Sequence, residues 1–223
     1  MPRPRFITLE GGEGAGKSTQ VKLLAQAFTN AGMASLSTRE PGGSKGGEAI
    51  RGLVVSGVAD KWDPTTEALL FMAARYDHLA TVITPALARG EWVVCDRFYD
   101  STYIYQGMAK NVGTDWLDQI YRQLFANAVP DLTLLLDLPP SVGLARADKR
   151  GNTVESRFEQ MNLDFHEALR AGFLQLAKNN PERIMILDAT KDSTHMHRAI
   201  IDTVNARFGL ALTPESSASL KRL

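Results

Sequence analysis

A doubly wound α/β fold, with a five-stranded parallel sheet covered by helices on both faces, is the architecture this sequence predicts. Three observations carry that expectation. Five short apolar runs alternate with longer segments of helical periodicity. The first run leads straight into a glycine-rich loop and a helix. Polar and charged residues gather just after the C-terminal end of each run, where ligands bind in open α/β sheets.

The first run is Phe6–Leu9. The loop after it satisfies G-x-x-x-x-G-K-[ST] through Gly11, Gly16, Lys17 and Ser18, and Val21, Leu24, Ala25 and Phe28 mark the following helix. Glycines let backbone N–H groups turn inward, and the helix points its positive end at bound phosphate. The second run, Ala34–Thr38, ends at "TREPGGSKGGEAIR". Helical spacing then covers Thr66–Arg89. The third run, Trp92–Cys95, ends at "DRFYDSTYIYQG" and is followed by a helix over Trp116–Ala126. The fourth run is Leu132–Leu138. After it, "VGLARADKRGNTVESRFEQ" is polar and reads as an excursion over the surface. A helix over Glu159–Lys178, a fifth run at Ile184–Leu187 ending in "DAT", and a helix over Thr194–Arg207 complete the pattern. One domain over residues 1–208 is expected, with residues 209–223 a frayed polar tail.

Composition narrows the class. Hydrophobic residues make up 44% and charged residues 22% of the 223, as in an ordinary soluble globular protein. Lys plus Arg and Asp plus Glu are 25 each, so no basic surplus argues for nucleic acid as a partner. The single cysteine, Cys95, lies in the apolar run "WVVCD" and reads as a buried thiol; it excludes an internal disulfide and a cysteine-rich metal site. "MPRPRFITLE" has no long apolar stretch, and no segment reaches 18 consecutive apolar residues, so a cytoplasmic protein without a membrane partner is expected.

Within the loop, Lys17 supplies a point charge for β- and γ-phosphates and Ser18 a hydroxyl for Mg²⁺. Asp96 closes the third strand, where a carboxylate holds Mg²⁺ through its water shell or caps the next helix. Arg97 beside it favours the first role, because a guanidinium fork suits an anionic acceptor.

Taken together, "EGGEGAGKST", "TREPGG", "FMAAR", "DRFYDSTYIYQG" and "DAT" resemble the bacterial type of thymidylate kinase, in the right order and up to about residue 208. That family belongs to the phosphate-loop nucleoside monophosphate kinases. The resemblance implies transfer of the γ-phosphoryl of ATP to dTMP, giving dTDP and ADP, with Mg²⁺ and as a homodimer. It implies ATP held by Gly11, Gly12, Glu13, Gly14, Ala15, Gly16, Lys17, Ser18 and Thr19, with Thr190 near adenine. Arg39 and Arg97 resemble the arginines that grip the dTMP phosphate, and Glu13 the acid at the sugar 3′-hydroxyl. Phe71 and Arg75, at i and i+4 on one helix face, resemble the thymine-reading pair. Spacing alone favours a core phenylalanine beside an exposed arginine there; the resemblance reverses that reading. Thr102 and Gln106 resemble further base-reading positions, and Tyr105 the aromatic that leaves no room for a ribose 2′-hydroxyl. Glu40, Pro41, Arg51 and Ser101 complete the implied dTMP pocket, with a cis Glu40–Pro41 bond.

Eukaryotic members carry an arginine directly after the acidic loop residue, where this chain has Gly14. The bacterial type supplies its arginine from a lid, here about residues 145–157. Arg146, Arg150 and Arg157 are the candidates, with Arg150 the expected catalytic residue beside Lys17 and Arg97, and Arg157 the runner-up. Two other readings stay open. A deoxynucleoside kinase shares the loop but accepts a neutral hydroxyl, and a phosphate-loop regulatory ATPase would hydrolyse without an acceptor.

Overall fold

The computed structural model describes residues 3, 5–58, 60–125, 128–149 and 157–215. Five strands form one parallel sheet: β1 (Phe6–Glu10), β2 (Ser35–Arg39), β3 (Trp92–Asp96), β4 (Leu132–Asp137) and β5 (Ile184–Asp188), in the order β2-β3-β1-β4-β5. All five expected runs are strands. Side chains alternate across the sheet, as strand geometry dictates. Ile7, Leu9, Val94 and Leu134 face one core with α1 (Lys17–Asn30) and α9 (Ser193–Phe208). Phe6, Val93 and Cys95 face the opposite core, so apolar cover lies on both sides.

Pairing register aligns the strand ends. Arg39 sits opposite Asp96, Leu9 opposite Asp96, and Asp137 opposite Asp188. The polar residues that follow each strand therefore share one edge of the sheet.

The helical stretch expected at Thr66–Arg89 is three pieces: α3 (Pro64–His78), a π-helical turn (Leu79–Ile83) and α4 (Thr84–Ala88). Pro85 is the reason, because it cannot donate to the preceding turn and its ring crowds the carbonyl there. Asp63 caps α3 by accepting from Thr65 N and Thr66 N. The helix expected at Glu159–Lys178 starts later, as α8 (Leu163–Asn179), where Asn162 accepts from Phe165 N.

Three elements escape the sequence periodicity. One is α2 (Lys45–Val54), whose Gly46–Gly47 pair lowers helix propensity. A Cβ on Gly46 would meet the Asp77 carboxylate of α3 at 2.7 Å, and one on Gly47 the Gly42 carbonyl oxygen at 2.7 Å. Gly46 thus lets α2 approach α3, and Gly47 lets it approach the preceding turn. A short helix α5 (Tyr99–Thr102) runs into a π-helical segment (Tyr103–Ala109), which precedes α6 (Thr114–Leu124). The third, α7 (Pro140–Asp148), occupies the start of what reads as a surface excursion. The tail also differs from the expectation of fraying from 209. Leu212 is buried in the α1/α9 core, and its backbone exchanges hydrogen bonds with the Asn205 amide. No helix among the described residues is long and apolar enough to cross a membrane.

Candidate active site

Two connected cavities open at the C-terminal edge of the sheet. The first, about 1090 Å³, is lined by Gly14, Ala15, Gly16, Lys17, Ser18 and Thr19, with Arg39 and Asp96 across from the loop. Buried Lys17 donates from Nζ to the carbonyls of Gly11 (3.1 Å) and Gly12 (2.7 Å), which holds its charge at the loop's centre. Burial, then the nearby Arg97 charge, pushes its pKa down to about 8. Ser18 Oγ donates to Asp96 Oδ2, so the two expected metal-facing groups meet. A hydroxyl and one carboxylate fit Mg²⁺, which keeps most of its water and takes phosphate oxygens rather than a full protein cage.

Gly14 has φ +69°, and a Cβ there would lie 2.1 Å from the Gly143 carbonyl oxygen of α7. A side chain at position 14 would displace α7. The loop's lack of an arginine is thus a packing requirement in this chain.

The second cavity, about 680 Å³, brings together Phe71, Arg75, Ser101, Thr102, Tyr105 and Gln106, with Glu40, Pro41 and Arg51 at its border. Arg75 is 2% exposed and is held on three sides. Nε donates to Glu40 Oε2 (2.7 Å), and Nη1 and Nη2 donate to Thr102 Oγ1 and the Phe98 carbonyl (3.0 Å each). His78 Nδ1 lies 3.0 Å from the other Glu40 oxygen. Arg51 Nη1 donates to the Pro41 carbonyl across the Glu40–Pro41 bond, which is cis as expected. Gln106 donates to buried Glu67 at 2.8 Å, and the π-helical segment presents both Tyr105 and Gln106 to the cavity.

Glu13, Glu40, Arg51, Arg97 and Glu159 line both cavities, so the two form one cleft. Arg97 stands at the junction with φ +64°, an uncommon conformation for a side-chain-bearing residue. Its Nη2 donates to Glu13 (2.7 Å), its Nη1 to Ser101 (3.0 Å), and its guanidinium lies 5.1 Å from the Tyr105 ring centre. Burial opposes ionisation of Glu13, but Arg97, Lys17 and the Tyr105 hydroxyl (3.1 Å) outweigh it and hold the carboxyl down at about 2. Arg39 is paired with Glu48 at 3.1 Å, an exposed ion pair that an anion in the cleft can displace.

Beneath this junction lies a group the sequence reading missed. Glu10 is fully buried and accepts from Phe98 N (2.7 Å), Ser101 N (3.3 Å) and Ser101 Oγ (2.6 Å), tying the segment after Arg97 to β1. Burial and the adjacent Asp100 charge push its pKa up to about 7. A carboxylate closing an otherwise apolar strand was the available signal. Val55, Phe98, Phe158 and Glu159 also line the second cavity and carry no separate signal in sequence.

The lid candidates separate. Arg150 lies outside the described residues, as does the rest of 150–156. Arg146 donates to the carbonyls of Ala189 and Thr190, and Gln20 of α1 donates to the Ser193 carbonyl and hydroxyl. The loop containing Thr190 therefore packs beside the phosphate loop's helix. Arg157, expected near ATP, does not line the phosphate-loop cavity. It is 1% exposed and pairs with buried Glu67 at 2.5 Å, because a guanidinium at that depth needs a carboxylate partner.

Comparison with known proteins agrees with this geometry. The sequence model of the family described as thymidylate kinase matches residues 9–200. The thymidylate kinase of Caulobacter vibrioides is 50% identical over 210 residues, covering 94% of this chain and all of that protein. That of Afipia carboxidovorans is 48% identical, covering 97% of this chain and 95% of the relative. The crystal structure of thymidylate kinase from Ehrlichia chaffeensis superposes with a TM-score of 0.73 at 30% identity, over 92% of this chain and 99% of that one. With a phosphate loop, an arginine-lined cleft and near-complete matches to these relatives, the chain belongs to the thymidylate kinase family.

Proposed function

We propose that the phosphate-loop cavity holds ATP and that dTMP lies in the second cavity with its 5′-phosphate at Arg97. As a member of its family the chain phosphorylates dTMP to dTDP. The observation that carries the placement is Arg97, which borders both cavities and so reaches the acceptor phosphate where the γ-phosphoryl arrives. Phosphoryl transfer needs no protein nucleophile; it needs reactants in line and charge neutralised. Lys17 and the N–H groups of Gly14–Thr19 neutralise the ATP phosphates. Ser18 and Asp96 would hold Mg²⁺, which supplies further charge neutralisation on the phosphate oxygens when bound. Arg39 leaves Glu48 to join Arg97 on the acceptor phosphate.

Glu13 and Tyr105 take the sugar side, with Glu13 ionised at neutral pH and thus an acceptor for a 3′-hydroxyl. Phe71 offers a face to the base. Arg75 keeps two N–H groups beyond its three bonds, enough to donate to a pyrimidine carbonyl.

Gly14 carries no side chain, so the remaining transition-state charge falls to an arginine from elsewhere, and Arg150 is our candidate. Such arginines contribute about 10³–10⁵ in rate, so Arg150→Ala is expected to lower kcat at least about 100-fold with little change in dTMP binding. Near-normal turnover in that variant would reject the role.

A homodimer in the cytoplasm is part of the same proposal. Leu53 on α2 with Leu69 and Tyr76 on α3, all exposed, supports an interface. Light scattering returning 24.4 kDa instead of twice that mass would remove the dimer.

The deciding test is coupled ADP release across a panel of nucleoside monophosphates, with thymidine included. A tenfold preference for another monophosphate, or for thymidine, sinks the acceptor assignment.

A further inference from the structure

Among the described residues, a group of buried charges that the site above leaves unexplained surrounds Glu67 on α3. Its carboxylate accepts from Gln106 Nε2 (2.8 Å) and Lys110 Nζ (3.0 Å), and it pairs with Arg157 Nη1 at 2.5 Å. Arg157 does more than neutralise it. Nη1 also donates to the Val54 carbonyl and Nε to the Val58 carbonyl, both at 2.9 Å, while its backbone N–H meets the Val55 carbonyl at 3.4 Å. These carbonyls lie at or just past the C-terminal end of α2, where helix carbonyls lack partners and the helix dipole is negative. One guanidinium thus joins α2, α3 and the turn at 157–160.

The next residue, Phe158, lines the acceptor cavity. Its ring centre is 6.2 Å from that of Phe71 and 5.5 Å from that of Tyr105, the latter edge to face. Arg157 and Lys110 stand 5.2 and 5.5 Å from the same ring. The turn is also held by Met161 N donating to the Phe158 carbonyl and by packing of the Phe158 ring against the core around Tyr105 and Phe173. The Arg157 anchor fixes the residue directly before the ring.

We infer that Phe158 is a base-contacting residue of the acceptor cavity, set in place by the buried Arg157–Glu67 pair, which makes Arg157 a positioning residue for the acceptor. The inference rests on dTMP occupying this cavity. Phe158 forms a corner with Phe71, giving a planar base two aromatic surfaces instead of one. Arg157 acts on acceptor binding, and the donor side is untouched.

Steady-state kinetics with dTMP and ATP varied independently tests this on wild type, Phe158→Ala, Phe158→Tyr, Arg157→Met and Arg157→Lys. Phe158→Ala is expected to raise the dTMP KM about tenfold, with the ATP KM and kcat within about twofold. Phe158→Tyr keeps the aromatic face and is expected to recover most of the dTMP KM lost in Phe158→Ala. Arg157→Met repeats the Phe158→Ala pattern, and Arg157→Lys recovers part of it, since an ammonium pairs with Glu67 but cannot also serve both the Val54 and Val58 carbonyls. An unchanged dTMP KM in Phe158→Ala overturns the inference. So does an Arg157→Met enzyme that loses about a hundredfold in kcat at unchanged dTMP KM, the signature of a transition-state arginine. Should circular dichroism show Arg157→Met unfolded, Phe158→Ala and Arg157→Lys decide the matter. A wild type that prefers another acceptor fails the underlying reading instead, and the same data set shows which has failed.

Discussion

Arg97 combines a left-handed backbone with a buried guanidinium, and each is tolerated because of its neighbours. Its N–H donates to the Leu9 carbonyl at 2.9 Å, and the Glu10 carboxylate fixes the residues that follow. Burial alone would lower the pKa of Arg97, but the surrounding Tyr105 and carboxylates raise it, so it stays charged for a phosphate. Phe71 has a simpler task. Phe71→Ala is expected to weaken dTMP binding by about 1–3 kcal/mol through lost ring contact and burial, measured by titration calorimetry. ATP affinity serves as the internal control and should not move. Tyr105→Ala is expected to erode the preference for dTMP over the ribonucleotide, because in the proposed placement the ring, tied to Glu13 through its hydroxyl, closes the sugar side. An unchanged ratio of kcat/KM for the two nucleotides would remove Tyr105 from that role.

At the scale of elements, the contact between the phosphate loop and α7 is the most demanding. A Cβ on Gly143 would approach the Glu13 carbonyl oxygen to 2.2 Å, backbone against backbone. Gly143→Ala is therefore expected to cost about 1–3 kcal/mol of stability and to weaken ATP binding by shifting the loop. Thermal melting with and without ATP reads both effects, and a normal ATP-induced shift would show that the loop had not moved. Regular strands and the longer helices were legible from periodicity, since their buried faces repeat every two or 3.6 residues. The π-helical segment Tyr103–Ala109 was not, because its register follows from packing against α8 and α3. The start of the tail differs from expectation for a similar reason: within a small, polar composition Leu212 finds the core and Leu210 packs against it, while 216–223 lie outside the described residues.

Across the whole molecule, the site stores charge that the ligand-free fold opposes. Glu10 has a folded pKa of about 7 against an ordinary 4.5. Between those values the unfolded chain sheds a proton that the folded one keeps, so its contribution to stability falls as pH rises. Glu13, at about 2, works in the other direction: its contribution is present above 4.5 and is lost as pH falls toward 2. Glu10→Gln keeps an acceptor for the two backbone N–H groups and can donate to Ser101 Oγ. The difference in denaturation free energy between variant and wild type should grow in the variant's favour from pH 4.5 to 7. A parallel pair of pH profiles would reject the buried charge as its cause. Lys17, lowered to about 8, is likewise held charged at neutral pH against burial. ATP should therefore stabilise the protein beyond the gain in a Lys17→Met variant, an expectation that ligand-induced melting shifts can check.

Local chemistry determined much of this from sequence alone. The phosphate loop is written in consecutive residues, because glycine conformations, a helix start and one lysine are short-range requirements. The parallel sheet followed from the alternation of strands and helices, and the edge that carries the site followed from where each strand stops. The order β2-β3-β1-β4-β5 came only with the tertiary structure. The resemblance of "TREPGG", "FMAAR" and "DRFYDSTYIYQG" pointed to residues that the structure gathers around one cavity, Phe71, Arg75, Thr102, Tyr105 and Gln106 among them. Only the tertiary structure decided what those residues face. It set Glu10 under Arg97, 87 positions away in sequence by residue number, and paired Arg157 with the buried Glu67. A guanidinium reads the same in sequence whether it meets a phosphate or a buried carboxylate. Its role is settled by desolvation and by the partner that packing supplies, and neither is encoded in its immediate neighbours.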